Sequence, residues 1–347
     1  MPSEFERLMV EDRKGDEMQA ALQDLWLAGP GDHRDRYPHV MALVREQPWA
    51  ILPQKLAVIT DLLRFRAEGG RLTAEQIADR IGAAAGSPNP TRAGAVAVLP
   101  VYGTIVQRAD MFTEMSGGTS TERLSSLFAQ AVSDPSVGSI VLRIDSPGGG
   151  VYGVAELADQ IHKARGKKTI VAVADSMAAS AAYWIASAAD EIVVTPGGEV
   201  GSIGVFAAHQ DVSRLYDATG ITMSLISAGK YKTEGSPFEP LSEEARTAMQ
   251  GRVNDYYSLF TRAVAKGRGV SVDDVRGGFG EGRVVGAQQA VKLGMADRVD
   301  TFEATVSRLS RAGSRPSGQR AEDDAAPVLV AAGGLSDDSR RRRARYR

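Results

Sequence analysis

The chain has 347 residues, 43% of them hydrophobic and 24% charged, ordinary values for a globular protein that exclude collagen-like and wholly disordered readings. Lys and Arg total 41 against 43 Asp and Glu, a net charge of −2, so no overall field points to nucleic acid or to a membrane surface. With no cysteine, disulfide frameworks, thiolate nucleophiles and cysteine-held metals are excluded together.

The first residues, Met1 to Lys14, carry too many charges for a signal-peptide core, and the longest uncharged apolar runs, 93–107 and 176–189, are too short to cross about 30 Å of hydrocarbon. A soluble, cytoplasmic protein without a membrane anchor is expected. Residues 1–85 read as a helical N-terminal segment, with three-and-four apolar spacing over 18–27, 40–46, 53–68 and 73–85. Residues 86–94, with Pro88 and Pro90, read as a linker. From Ala95 the pattern becomes α/β. Strands are expected over 96–106, 139–144, 169–174, 191–195, 202–207 and 222–227. Helices are expected over 119–132, 154–164, 178–188, 212–219 and 243–266. Such alternation predicts βαβ units around a mainly parallel sheet over 95–309. Residues 310–347 lack a periodic apolar face and read as a disordered basic tail ending in Arg340 to Arg343, Arg345 and Arg347. Nucleic-acid contact by this tail is the lesser reading beside a solvated terminus.

Two segments carry chemistry. Asp145-Ser146-Pro147-Gly148-Gly149-Gly150 lies between an expected strand and an expected helix, and its glycines let backbone N–H groups turn toward an anion. It has neither the G-x-G-x-x-G nor the Gly-Lys-Ser/Thr ending of a phosphate cradle, and an empty tight turn is the competing reading. The second segment, 174–186, sets Ser180 among alanines at a strand-to-helix junction, which makes Ser180 a candidate nucleophile or else a buried helical serine; Ser176 is read as the cap of that helix. Of the four histidines, His33, His39, His162 and His209, only His209 lies near the relevant strands. Lys230 and Lys232 are alternative bases, since a desolvated lysine is neutral near pH 7.

In combination these segments resemble the signal peptide peptidase A family of serine peptidases, relatives of the proteolytic subunit of Clp and of the crotonase fold. The resemblance spans residues 96 to about 306. It rests on Asp145-Ser146-Pro147-Gly148-Gly149, Ala178-Ala179-Ser180 with Tyr183, and Val200-Gly201-Ser202-Ile203-Gly204-Val205. It continues through Gly229-Lys230-Tyr231-Lys232 with Ser236-Pro237-Phe238, and the closing run from Gly282 to Ala290 with Leu293-Gly294-Met295-Ala296-Asp297. It implies a Ser/Lys dyad of Ser180 as nucleophile and Lys232 as general base, with Ser202 orienting the lysine. It also implies an oxyanion hole from the N–H groups of Gly148 or Gly149 and of Ala181, and no metal or cofactor. Where members often carry Gly-Gly after the nucleophile, this chain has Ala181-Ala182, which keep their N–H groups.

The extra N-terminal segment, with Gln47-Pro48-Trp49-Ala50-Ile51-Leu52-Pro53, resembles the phage or prophage branch, whose members act as head-maturation proteases on scaffold and capsid proteins. By the same resemblance the serine and lysine of one site come from neighbouring subunits of a homo-oligomer. Three alternatives are a Clp-like triad of Ser180, His209 and an Asp, acyl-CoA hydratase or isomerase chemistry, and a non-catalytic capsid assembly protein.

Overall fold

The structure is a computed structural model and describes residues 47–67, 89–108 and 118–313. The helices expected over 18–27, 40–46 and 73–85, residues 86–88 of the linker and nearly all of the basic tail lie outside those residues, and residues 91–93 of the expected linker form a strand. The chain begins with β1 (Trp49–Ile51) and α1 (Pro53–Ala67), then β2 (Thr91–Ala93), β3 (Val96–Tyr102), β4 (Ile105–Val106) and β5 (Thr119–Ser120). Next come α2 (Thr121–Ser133), β6 (Ser139–Ser146), β7 (Gly148–Gly150), α3 (Val154–Ala164), β8 (Thr169–Ala179) and α4 (Ala181–Ala186). Then follow β9 (Glu191–Val194), β10 (Glu199–Gly201), α5 (Ser213–Ala218), α6 (Glu243–Arg268), α7 (Val272–Gly278), β11 (Val284–Gly286), α8 (Ala287–Lys292), β12 (Arg298–Val299) and α9 (Phe302–Gly313).

The main sheet is parallel through β3, β6, β8, β9 and β12, with antiparallel β2 at one edge. Its central strands are continuous apolar runs because both faces are covered, as parallel sheets require. Ile140, Leu142 and Ile144 of β6 join the core that includes residues of α2, α3 and α4. Val141, between them, turns the other way and packs with Val171, Val173, Val193 and Leu309, against which Phe302 and Val306 of α9 lie. The expected α/β class and mainly parallel sheet are therefore what the chain forms.

The last third of β8 positions the site. Its residues 171–174 pair with β9, while residues 177–179 pair with β10, which in turn pairs antiparallel with β11. Between these two stretches the β6–β8 register slips: Ile144 faces Ala174 but Ser146 faces Ala178. The surplus residues bulge at Ser176, whose φ is +91°, and the strand end is bent out of the sheet plane. Ser176 is thus part of β8 rather than a helix cap, and its N–H donates to Thr195 Oγ1 at 3.3 Å. The helix expected over 178–188 starts only at Ala181, because Ala178 and Ala179 remain in the ladder.

Other expectations are corrected by what the chain can pair with. The strand expected over 96–106 breaks at Gly103, φ +62°, so that β4 can turn into a second sheet of order β1-β7-β4-β5. Residues 202–207 and 222–227 do not form strands; along the first, Phe206 makes an isolated antiparallel bridge to Trp49, and the second finds no ladder partner among the described residues. Helices expected over 154–164 and 243–266 appear as α3 and α6. A strand, β1, occupies part of the N-terminal segment read as helical.

Candidate active site

Ser180 stands between β8 and α4 with φ +56° and ψ −119°, a conformation that costs a non-glycine residue of order 1–3 kcal/mol and is held here by bonds on both sides. Its N–H donates to Gly201 O at 2.7 Å, and its carbonyl accepts from Trp184 N–H at 2.9 Å, the first bond of α4. A sharp strand-to-helix turn of this kind lifts a serine hydroxyl off the end of a sheet, with the helix N-terminus directly behind it. The Ser180 hydroxyl donates weakly to Gly204 O at 3.4 Å, and the residue is only 1% exposed.

The glycine turn meets Ser180 directly. A Cβ on Gly148, whose φ is +100°, would stand 3.0 Å from Ser180 Cβ, so only glycine allows this approach. Ser146 Oγ fixes the turn by donating to Gly103 O at 2.6 Å while accepting from Gly148 N–H at 3.2 Å. The three amides expected as oxyanion donors are therefore not equivalent. Gly148 N–H is held by Ser146, and Gly149 lies opposite Ala50 in the β1–β7 ladder. Ala181 N–H, at the first helical position, has no acceptor within its own helix.

The bases separate clearly. His209 Nε2 lies 3.1 Å from Ser236 O, while the Ser180 hydroxyl is turned to Gly204 O, so no hydrogen bond joins the two side chains within the chain. Lys230 donates to Tyr231 Oη at 2.6 Å and to Glu244 Oε1 at 3.2 Å, and these bonds push its pKa above the usual lysine value, which keeps it charged. Lys232 is exposed in the turn that closes with its N–H on Gly229 O, and within one chain it bonds to neither Ser180 nor Ser202. Ser202 is buried at φ +53°, its N–H donating to Arg283 O at 2.8 Å.

The closing run braces the site from behind. Tyr183 of α4 donates its hydroxyl to Met295 O at 2.8 Å, and Asp297 accepts from Ile192 N–H at 2.8 Å. Burial works to raise the Asp297 pKa, but hydrogen bonds from Arg268 and Ile192 outweigh it and hold the carboxyl below its usual range. Sequence reasoning missed Gly201 and Gly204 as carbonyl partners of Ser180, since main-chain acceptors leave no residue-type signal. It also missed the pairing of residues 49–51 with the glycine turn.

Comparison with known proteins decides the family. The model for peptidase family S49 matches residues 162–314. The capsid assembly protease C of Escherichia phage lambda is 31% identical over 314 residues, covering 85% of this chain and 71% of the lambda protein. The chain belongs to peptidase family S49. By that membership it is a serine peptidase. The head-tail preconnector protein GP5 of Enterobacteria phage P21 is 34% identical over 232 residues, 66% of this peptidase and 46% of the P21 protein. A putative signal peptide peptidase SppA of Enterococcus faecium is 32% identical over 179 residues, 51% of this chain and 52% of its own. Among solved structures, a ClpP1 variant from Listeria monocytogenes aligns with a TM-score of 0.37 at 17% identity, covering 60% of this peptidase and 94% of the Listeria chain. Among the described residues of the S49 chain, no helix is long and apolar enough to cross a membrane, and no cluster of His, Cys, Asp and Glu could hold a metal ion.

Proposed function

We propose that this S49 peptidase is an endopeptidase working through Ser180 and Lys232, with the lysine delivered by a neighbouring copy, and that it processes scaffold or capsid polypeptides in the host cytoplasm or the assembling phage head. The observation that carries the reading is the meeting of the strained Ser180 turn with Gly148 at the start of α4. The substrate class follows from the lambda relative, which is named for capsid assembly.

The chemistry follows from the parts. A neutral lysine amine takes the Ser180 Oγ proton as the oxygen attacks a substrate carbonyl, and the developing oxyanion is met by the amide of Ala181 with one from the Gly148-Gly149 turn. The ammonium then returns its proton to the leaving amine, and water hydrolyses the ester by the same relay. A lysine in water is charged and cannot begin this sequence. Lys232 directly follows an arm, residues 221–231, that is exposed throughout and carries Ile221, Met223, Leu225, Ile226 and Tyr231. Docking of that arm on a second copy would bury the apolar side chains and desolvate the lysine in one event, with Ser202 placed to accept from its amine.

The test is complementation. Ser180→Ala and Lys232→Ala should each abolish cleavage of scaffold protein, read by mass spectrometry. Random mixing of the two dead variants should restore about a quarter of the wild-type activity if each site takes its serine and lysine from different copies. Full activity of Lys232→Ala alone would remove the proposed base, and a mixture as inactive as its components would place both residues in one chain.

A further inference from the structure

An extended peptide added as a strand along the glycine turn would bring its carbonyls to Ser180 and to the amide donors. That edge of β7 is already taken. Residues Trp49–Ile51 pair with it antiparallel, Trp49 opposite Gly150, Ala50 opposite Gly149 and Ile51 opposite Gly148. The ladder continues on both sides, Leu52 N–H donating to Pro147 O at 3.0 Å and Val151 N–H to Pro48 O at 3.4 Å. By the alternation of antiparallel bonds, Ala50 and Gly149 are the exchanging pair between these two, so the Ala50 carbonyl faces the Gly149 amide. The other edge of β1 is paired as well: Trp49 N–H donates to Phe206 O at 2.8 Å and Phe206 N–H to Trp49 O at 3.0 Å.

The same strand lies beside the nucleophile. A Cβ on Gly148 would stand 2.2 Å from Ala50 O and 3.0 Å from Ser180 Cβ, so the Ala50 carbonyl and the Ser180 side chain converge on one Cα. Trp49 and Ala50 are 0% exposed, and the hydroxyl that must meet substrate is covered. We propose that residues 47–52 occupy in cis the groove that receives the substrate strand, so that the chain's own N-terminal segment competes with substrate and must leave before another peptide can bind. The proposal rests on the reading of Ser180 as nucleophile. Its physical content is that one set of backbone donors and acceptors, on Gly148–Gly150 and Phe206, cannot serve two strands at once.

Two measurements on the full chain test it. Trp49 and Phe206 form a hydrogen-bonded antiparallel pair, whose usual Cα separation of about 5.5 Å suits a disulfide, and the chain has no cysteine of its own. The double variant Trp49→Cys, Phe206→Cys should hydrolyse casein at least about tenfold more slowly when oxidised than after reduction, the reduced sample being its own control for folding. Equal rates in the two forms, with wild type active, overturn the proposal and leave the peptidase reading intact. The second measurement needs no turnover and so separates the two readings even if casein is never cut. In Ser180→Ala, a millimolar acetylated and amidated peptide spanning residues 47–52 should speed amide hydrogen exchange at the chain's own Ala50 and Leu52 by about tenfold or more. Exchange at Gly148–Gly150 should stay slow. Unchanged exchange at Ala50 and Leu52 overturns the proposal, because a permanent structural strand would not yield to its copy.

Discussion

Asp145 stands one residue before the serine that ties down the glycine turn, and its carboxyl is half-buried at the point where β6 and β8 slip register. Burial first, and the charge of Asp175 second, raise its pKa from the usual aspartate value to about 6, against the opposing pull of Lys55 and Arg143. Asp175 itself is clamped by Arg143, whose Nη2 lies 2.6 Å from its carboxylate. An acid whose folded pKa is raised keeps its proton in the folded chain at a pH where the unfolded chain has lost it. Its stabilising effect is therefore complete below about pH 4 and disappears as pH rises through about 6. Asp145→Asn should accordingly leave the melting temperature unchanged at pH 4 and raise it at pH 7.5. The gain should be about 1 kcal/mol, well below the full equivalent of the shift because the carboxyl keeps contact with water. Melts of both proteins across that range check it, and parallel curves would refute the buried charge. The sequence marks Asp145 as the first residue of its motif. Its partner lies on the neighbouring strand, and only the register that sets Ile144 against Ala174 brings the two carboxylates together.

Helix α6 shows how a distant element holds α4, the helix that follows Ser180, in place. Its Phe260 ring stacks on Trp184 of α4 at 4.7 Å and 7°, and near its end Gly267 lets the helix touch the chain just after α4. A Cβ on Gly267 would stand 1.9 Å from Ser187 O, a backbone atom that cannot swing aside, and the Arg165 guanidinium gathers the carbonyls of Ser187, Ala188, Ala189 and Gly267 at the same seam. Alanine is the better helix former by about 1 kcal/mol, but the overlap costs more, of order 1–3 kcal/mol or above where the neighbour is main chain. Gly267→Ala should therefore destabilise by about 2 kcal/mol, seen as a lower urea midpoint, and a raised midpoint would show that the seam yields. Periodicity located α3 and α6 well, because each buries one stripe. It failed where pattern and pairing part company: Thr222–Ser227 alternates polar and apolar residues yet has no strand beside it among the described residues, and β1 is too short to show a period at all. The site was legible at Ser180 and the glycine turn, where residue type limits backbone geometry, and illegible where main-chain carbonyls or a solitary strand complete it.

At the scale of the whole molecule, the arm over residues 221–231 leaves its apolar side chains uncovered by the other described residues. Ile226 is 98% exposed and Ile221, Met223 and Leu225 stand beyond 40%, a run of apolar surface that a lone globular chain would ordinarily cover. Lys232 follows directly on this run, so whatever covers the arm also takes the proposed base out of water. Burial of one such side chain contributes roughly 1.5–3 kcal/mol, and a carboxylate in its place would have to be desolvated without a partner. Ile226→Asp should therefore weaken self-association by about tenfold or more in sedimentation velocity while leaving the circular dichroism of the core unchanged. If nucleophile and base are shared between copies as proposed, specific activity should fall with it at low protein concentration and recover as concentration rises. A folding defect has no such concentration dependence, so the two explanations part in one dilution series. If Ile226→Asp stayed monomeric and kept full specific activity at every dilution, the arm would have no part in building the site, and the lysine would have to reach Ser180 from within its own chain.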